Sequence, residues 1–154
     1  MKLAEALLER SDLQKRADTL RARVLMNASY QEGEEPAEHA ETLLDECVAV
    51  LRELERLIAQ INLANATALA ADGRTLTEIL AARETLRAEH SLLTQAADAA
   101  GGARVPRQLR SELRQLSALA VPELRAQADA IAVRLREIDG LIQRMNWEVD
   151  IPQN

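Results

Sequence analysis

The sequence predicts an all-α fold, an antiparallel bundle of four long helices arranged as coiled-coil-like helical hairpins. Four segments carry small and aliphatic residues at alternating intervals of three and four, which places each set along one seam of an α-helix. The composition agrees, because the chain has no Phe and its only aromatic residues are Tyr30 and Trp147. A core of Leu, Ile, Val and Ala suits closely packed long helices. We expect a single domain over residues 1–154, since this length can bury a core of its own.

The first helix is expected over residues 2–28 and the second over residues 38–71. Between them, Gly33 and Pro36 are typical of a connection rather than a helix. The first seam consists of Leu3, Ala6, Arg10, Leu13, Ala17, Leu20 and Val24. The second seam consists of Leu43, Cys47, Val50, Leu54, Leu57, Ile61, Ala64 and Ala68.

The third helix is expected over residues 75–99. Thr75, followed three residues later by Glu78, has the pattern of a capping box at a helix start. The paired Gly101 and Gly102 favour a left-handed cap or a loop at the other end. The third seam consists of Leu76, Ile79, Arg83, Leu86, His90, Leu93 and Ala97.

The fourth helix is expected over residues 122–147, and Pro122 suits its first turn. The preceding residues 107–121 are ambiguous, and we interpret them as a short helix or an irregular arm. Helices of about 25 residues are roughly 40 Å long, so short connections fold them back on one another as antiparallel neighbours. The fourth seam consists of Leu124, Ala128, Ile131, Leu135, Ile138, Ile142, Met145 and Val149.

Three polar residues, Arg10, Arg83 and His90, stand on seam positions where Leu or Ala is expected. One interpretation is that the stripe rotates slightly and these side chains reach the surface. The other is that they set register or oligomeric state, as polar seam residues do in coiled coils. The second interpretation makes all three candidate oligomer-interface residues.

The two long connections carry opposite charge. Acidic residues dominate the first connection and the start of the second helix, where the helix dipole also favours negative charge. They are Glu32, Glu34, Glu35, Glu38, Glu41, Asp45 and Glu46. Four arginines dominate the loop between the third and fourth helices: Arg104, Arg107, Arg110 and Arg114. In an up-down-up-down bundle the two loops share one end, so we hypothesise that this end is an assembly surface.

The opposite end of such a bundle gathers Asn62, Asn65, Arg74, Asn146 and Trp147. Asparagine is a mediocre helix residue, so its side chain here calls for a hydrogen-bond partner. These residues either close the bundle through caps and interhelix bonds or line a small polar pocket beside the only Trp. They are therefore the candidate ligand-binding residues.

The sequence offers no catalytic residues. A di-metal site in a helical bundle needs Glu three residues before each His, but Pro36 precedes His39 and Arg87 precedes His90 at that spacing. Cys47 lies on an apolar seam and is expected to be a small buried residue rather than a nucleophile. We therefore expect no metal, no cofactor and no intrachain disulfide, and the sequence favours a non-enzymatic role.

Charge and hydropathy limit the partners. The formal charge of −6 and the lack of stacking aromatics beside the arginines argue against nucleic-acid binding. No segment approaches the roughly 20 apolar residues of a membrane span, so we expect no stable membrane insertion. The residues from Met1 to Arg10 lack the apolar run of a signal peptide, and with a single cysteine this predicts a cytoplasmic protein.

The sequence resembles a family of small bacterial helical proteins, some of which carry the label septicolysin. The resemblance lies in residues 1–7, 12–16, 31–38, 71–77, Ile61 with Asn62 and Asn65, and Asn146 with Trp147. The loop after Gly101 departs from the family pattern, and only Arg110 to Leu113 is similar to it. The resemblance implies a helical fold and brings no catalytic residues; the label itself implies membrane lysis.

Together these observations favour a structural or interaction module that self-associates as a homo-oligomer through its helical seams and charged end loops. One alternative is a small-molecule-binding or enzymatic protein that uses the end around Trp147. A second alternative is a membrane-active, lysin-like protein. The sequence leaves the choice to the structure and to experiment.

Overall fold

The computed structural model describes residues 1–102 and 115–152. Over these residues the chain is all-α, as predicted, with four long helices and no β-strand beyond an isolated bridge between Lys2 and Asp150. In chain order the helices are α1 (Leu3–Asn27), α2 (Ala40–Thr67), α3 (Leu76–Ala100) and α4 (Val121–Glu148).

The end of α2 differs most from the predicted bounds, since the helix stops at Thr67 rather than at residue 71. Ala68 leaves helical geometry with ψ 124° while its N–H still donates to the carbonyl of Ala64 at 2.8 Å. Much of the segment 107–121 lies outside the described residues. Residues 115–120 are non-helical, and α4 begins at Val121 with Pro122 in its first turn, as predicted.

The chain divides into two compact units. The first contains Met1–Leu69 and Met145–Asn154, and therefore α1, α2 and the last turn of α4. The second contains Ala70–Arg144, and therefore α3 and most of α4. Each unit is built on one helical hairpin. The single bundle domain over residues 1–154 stays a prediction.

In the first unit, α1 and α2 run antiparallel. Arg16 of α1 forms an ion pair of 2.7 Å with Glu46 of α2, and the Cys47 thiol lies 3.7 Å from the carbonyl oxygen of Ala17. Cys47 is buried, as its seam position predicts. Burying a Leu or Ile side chain fully is worth about 1.5–3 kcal/mol, so this seam is the main source of the hairpin's stability. The buried seam residues are Leu3, Ala6, Leu13, Ala17, Leu20, Leu43, Cys47, Val50, Leu54, Leu57, Ile61 and Ala64.

The connection between α1 and α2 is fastened by Asn27, the buried polar residue of this unit. Its side-chain nitrogen donates to the carbonyl of Arg23 at 2.9 Å, and its side-chain oxygen accepts from the backbone N–H of Glu38 at 3.1 Å. The Glu38 carboxylate in turn accepts both a 3.0 Å bond from Arg23 Nε and a bond from its Nη2. This bond to Arg23 lowers the pKa of Glu38 and raises that of Arg23.

The chain's beginning and end are also joined within the first unit. The N–H of Leu3 donates to the Val149 carbonyl at 2.9 Å, and the N–H of Ile151 donates to the Met1 carbonyl at 3.0 Å. The Lys2 ammonium lies 2.8 Å from the Asp150 carboxylate, and this bond lowers the pKa of Asp150. Two segments distant in sequence thus close one unit.

In the second unit, the predicted capping box begins α3. The backbone N–H and hydroxyl of Thr75 bond to the Glu78 carboxylate at 2.7 and 2.8 Å, and the N–H of Glu78 donates to the Thr75 hydroxyl at 3.2 Å. These bonds lower the pKa of Glu78. Gly73 in the preceding turn has a φ of +84°, a conformation that favours glycine.

The α3–α4 hairpin is antiparallel as well. In the first third of α3, Arg83 lies 3.7 Å from Asp139, and close to the connection between the two helices Arg125 lies 3.7 Å from Asp98. Gly101 is the C-cap of α3. The buried seam residues of this hairpin are Leu76, Ile79, Leu86, Ala97, Ala128, Ile131, Ile138 and Ile142.

Candidate functional site

The α2 helix carries a second apolar stripe beside its buried seam. Leu44, Val48, Leu51 and Ile58 are separated by four, three and seven residues, which places them along one line of the helix surface. Their exposed fractions are 50, 37, 48 and 37% respectively. We call these four residues the α2 apolar face. Glu55, which is also exposed, stands on the same line between Leu51 and Ile58. Single exposed hydrophobic residues are ordinary on a protein surface, but a stripe of them is typical of interaction sites.

Helical geometry explains why this face stays outside the core of its own hairpin. At about 100° per residue, the α2 apolar face points roughly 100° away from the buried seam around the helix axis. The seam faces α1, so α1 covers the seam and leaves the stripe partly exposed, with Ile58 lining a recess beside Arg10 and Lys15 of α1. Sequence analysis missed this face, although the spacing of its residues was a usable signal.

Charged residues border the α2 apolar face on one side. Glu41 and Asp45 lie on the N-terminal half of this border, and Arg52 and Arg56 lie on its C-terminal half. All four side chains are exposed. The Arg56 Nε donates to the carbonyl oxygen of Arg52 at 3.4 Å, so the two arginines lie next to each other on successive turns.

The second unit has a groove of about 510 Å³ between α3 and α4. Its apolar floor includes Leu86, Ile138 and Leu141. The residues that line it include no His, Cys or Ser, and the hydroxyl of Thr85 in the lining donates to the Ala81 carbonyl at 3.2 Å. The charged lining residues are Arg74, Glu89, Arg134, Glu137 and Arg144.

The structure distributes the predicted ligand-binding residues over both units. Asn62, Asn65, Asn146 and Trp147 belong to the first unit, and Arg74 belongs to the second. Asn62 and Trp147 are exposed, whereas Asn65 and Asn146 are half-buried.

A recess of about 450 Å³ lies in the first unit between the end of α2 and the chain's last described residues. It is lined by Leu63, Leu69, Val149 and Asp150 among others, and none of the four predicted residues of this unit is part of the lining. The ligand-binding role of these residues stays a prediction.

Arg74 is held close to the turn in which it lies. Its Nε and Nη2 donate to one Asp72 carboxylate oxygen at 2.8 and 2.6 Å, which lowers the pKa of Asp72 and raises that of Arg74. Arg74 nevertheless lines the α3–α4 groove. Of the five predicted ligand-binding residues, it is the one that borders this groove.

The three polar seam residues differ in their surroundings. Arg10 is exposed beside a shallow recess of about 420 Å³ that Ile58 also lines. Arg83 is 23% exposed and is paired with Glu84 at 3.2 Å as well as with Asp139. His90 is half-buried at a recess of about 230 Å³ between α3 and α4. Their role at an oligomer interface stays a prediction.

The arginines of the basic loop lie outside the described residues, and their role at an oligomer interface stays a prediction. They are Arg104, Arg107, Arg110 and Arg114. In the described part of the chain, no cluster of three or more His, Cys, Asp or Glu side chains has a geometry that could hold a metal ion. Among the described helices, none combines the length and the apolarity that crossing a membrane requires.

Comparison with known proteins gives a family without a known activity. The family model described as "Family of unknown function (DUF6847)" matches residues 10–151. A crystal structure of a functionally unknown conserved protein from Corynebacterium diphtheriae is 33% identical, with a TM-score of 0.89 over 99% of each chain. No match was found among curated proteins. Neither description carries the septicolysin label.

Proposed function

The chain belongs to this family of unknown function, and we propose that it is a non-enzymatic interaction module that self-associates through the α2 apolar face. The single observation that supports this most directly is the exposure of four large apolar side chains along one line of α2. Removing such a surface from water is favourable and is the main driving force of most protein association. A second copy of the chain offers a matching apolar stripe.

The charged α3–α4 groove favours the same non-enzymatic role. The only hydroxyl side chain in its lining is that of Thr85, which donates to the Ala81 carbonyl and not to a carboxylate. The basic loop and the three polar seam residues remain proposed contributors to assembly.

Sedimentation velocity of Leu51→Lys tests the proposal, because a lysine in the stripe would have to be desolvated in the associated form. We expect the wild type to show a concentration-dependent oligomer and Leu51→Lys to shift strongly toward monomer. Leu92→Lys is the matched control, since Leu92 is an isolated exposed leucine of α3. A wild type that stays monomeric, or a Leu51→Lys protein that assembles like the control, contradicts the proposal.

A second candidate function is the binding of a small charged molecule in the α3–α4 groove. The observation in its favour is the combination of an apolar floor with both arginine and glutamate side chains around it, as small-molecule sites commonly have. The chemistry fits a zwitterion, whose acidic group would meet Arg134 or Arg144 while its amine meets Glu89 or Glu137.

Native mass spectrometry of the untagged protein tests this second function, followed by the same sample denatured. A stoichiometric extra mass that disappears in Arg134→Ala supports it, and its absence together with unchanged thermal stability in an amino-acid panel contradicts it. Trp147 fluorescence in the same panel tests the predicted site at the other end, since a ligand beside the exposed indole would change its emission.

The lytic role that the septicolysin resemblance implies has a direct test in dye leakage from liposomes. The self-association proposal expects no leakage above that of an unrelated acidic protein. Leakage that scales with protein concentration would favour the membrane-active alternative.

A further inference from the structure

The charges that border the α2 apolar face have a polarity along the helix. Glu41 and Asp45 stand on its N-terminal half, and Arg52 and Arg56 stand on its C-terminal half. The two members of each pair are four positions apart in the sequence. At about 100° per residue, all four lie within roughly 60° of one another around the axis. These four residues therefore form a single line whose charge changes sign once, and Glu55 lies outside this line, about 60° from Arg52 on the apolar side.

The two halves of this border are symmetric about one point. The midpoint between Asp45 and Arg52 lies between Val48 and Ala49, and the midpoint between Glu41 and Arg56 lies at the same place. A two-fold axis brings residue i against residue j of the partner and residue j against residue i. A dyad at this point therefore pairs acidic with basic residues at every position of the border.

From this symmetry, and resting on the proposed self-association, we infer that the partner of the α2 apolar face is a second copy of the same face, packed antiparallel about a two-fold axis near Val48. In this register Asp45 meets the partner's Arg52 and Glu41 meets the partner's Arg56. Val48 lies beside the partner's Val48 at the axis.

The geometry of helix pairs favours the antiparallel arrangement. In an antiparallel two-fold pair, the same flank of both helices lies on the same side of the contact, so the charged border of one copy meets that of the other. A parallel pair sets this flank against the opposite flank of its partner. The acidic and basic halves would then not meet.

The buried seam of α2 leaves room for this pairing. Because the seam points roughly 100° away from the apolar face, α1 lies to one side of the contact rather than across it. The apolar contacts then continue outward from the axis, with Leu44 against the partner's Leu51 on both sides.

Disulfide trapping tests the register, in a Cys47→Ala background that removes the native thiol. The two copies of residue 48 lie side by side at the two-fold axis. The two copies of residue 44 are separated along the helix direction by roughly 13 Å, and those of residue 58 by roughly 28 Å, at 1.5 Å per residue. A disulfide needs Cα atoms within about 7 Å. We therefore expect Val48→Cys to form a covalent dimer, and Leu44→Cys and Ile58→Cys to remain uncrosslinked by themselves.

A mixture of two single-cysteine variants is the positive control. When Leu44→Cys protein is mixed with Leu51→Cys protein, we expect a crosslinked heterodimer. Crosslinking of all three single variants to similar extents overturns the antiparallel register and leaves self-association standing. A wild type that is monomeric in sedimentation overturns the self-association itself. The two failures are thus distinguishable.

Charge reversal gives an independent test. Asp45→Arg places arginine against the partner's Arg52 at two symmetric positions, and we expect it to weaken the dimer about tenfold at low salt. Asp45→Arg with Arg52→Asp restores the pairing and most of the affinity. Asp12→Arg, at an exposed ion pair of α1 with Lys15, is the matched control and leaves the affinity unchanged. Failure of the double variant to recover overturns the inferred pairing.

Discussion

The two hairpins differ in where they leave apolar and polar side chains. In the first hairpin the α2 seam is apolar along its buried length, and a further apolar stripe faces solvent. In the second hairpin the α3 seam is interrupted by Arg83 and His90, and charged side chains surround the groove beside it. The same helical period therefore leaves an apolar stripe on the first hairpin and a charged groove on the second.

The largest expected effect comes from core truncation, which tests whether both hairpins depend on their buried seams. Ile61→Ala in α2 and Ile79→Ala in α3 remove side chains that are 1 and 0% exposed. Each is expected to lower the free energy of unfolding by about 2–5 kcal/mol in chemical denaturation, through lost burial and the cavity left behind.

Ile58→Ala is the matched control, because Ile58 belongs to the exposed α2 apolar face. Measured at a concentration low enough to dissociate any dimer, it should cost about 1–2 kcal/mol, less than Ile61→Ala, because 37% of Ile58 is exposed. A loss as large as that of Ile61→Ala would mean that the face is part of the core and not an interaction surface.

The second-largest expected loss of unfolding free energy comes from Asn27, which stabilises the connection between α1 and α2. Asn27→Ala removes both the acceptor of the Glu38 N–H and the donor to the Arg23 carbonyl, and it should cost about 1–3 kcal/mol of unfolding free energy. Asn62→Ala, at an exposed position of α2, is the control and should change stability by about 0.5 kcal/mol at most. Equal effects of the two variants would contradict the fastening role of Asn27.

These elements also show how far the sequence alone could lead. The four helices, the capping box at Thr75 and the burial of Cys47 were predicted correctly, because the heptad spacing and the cap pattern are local. The end of α2 was placed too late, since the alanines after Thr67 carry no stop signal. The role of Asn27 could not be predicted, because its partner Glu38 lies eleven residues away across a connection without regular spacing.

The candidate site was harder to predict than the fold for a physical reason. Leu44, Val48 and Leu51 are as apolar as their buried neighbours, and only the position of α1 decides which stripe of α2 is covered. The predicted ligand-binding residues were grouped by assuming a simple up-down-up-down bundle. The structure assigns Arg74 to one compact unit and Asn62, Asn65, Asn146 and Trp147 to the other, and their grouping into one site stays a prediction.

A smaller effect is expected at Arg83, where the second hairpin departs from an apolar seam. Its partners Glu84 and Asp139 are 63 and 46% exposed, so neither is left buried without a partner when the arginine is replaced. Arg83→Leu should therefore change the unfolding free energy by about 1 kcal/mol or less, or raise it. A larger loss would make the ion pair a structural element, and a changed subunit count would support the predicted role of Arg83 in assembly.

The smallest effect is the response to acid. Glu38 and Asp150 both have a lowered pKa in the folded protein, against ordinary values of 4.5 and 3.8. Their contribution is therefore present above those ordinary values and is lost as the pH falls through the lower folded-state values. Denaturation curves of wild type and Glu38→Gln should converge as the pH is lowered from about 5 to 3. Glu53→Gln, an exposed glutamate of α2, should show no such convergence.

The central claim is that the α2 apolar face joins two copies of the chain, and sedimentation velocity over a wide concentration range tests it most directly. The account predicts a reversible dimer for the wild type and for Leu92→Lys, and a monomer for Leu51→Lys at the same concentrations. A wild type that sediments as a monomer throughout, or a Leu51→Lys protein that dimerises as well as Leu92→Lys, would contradict it.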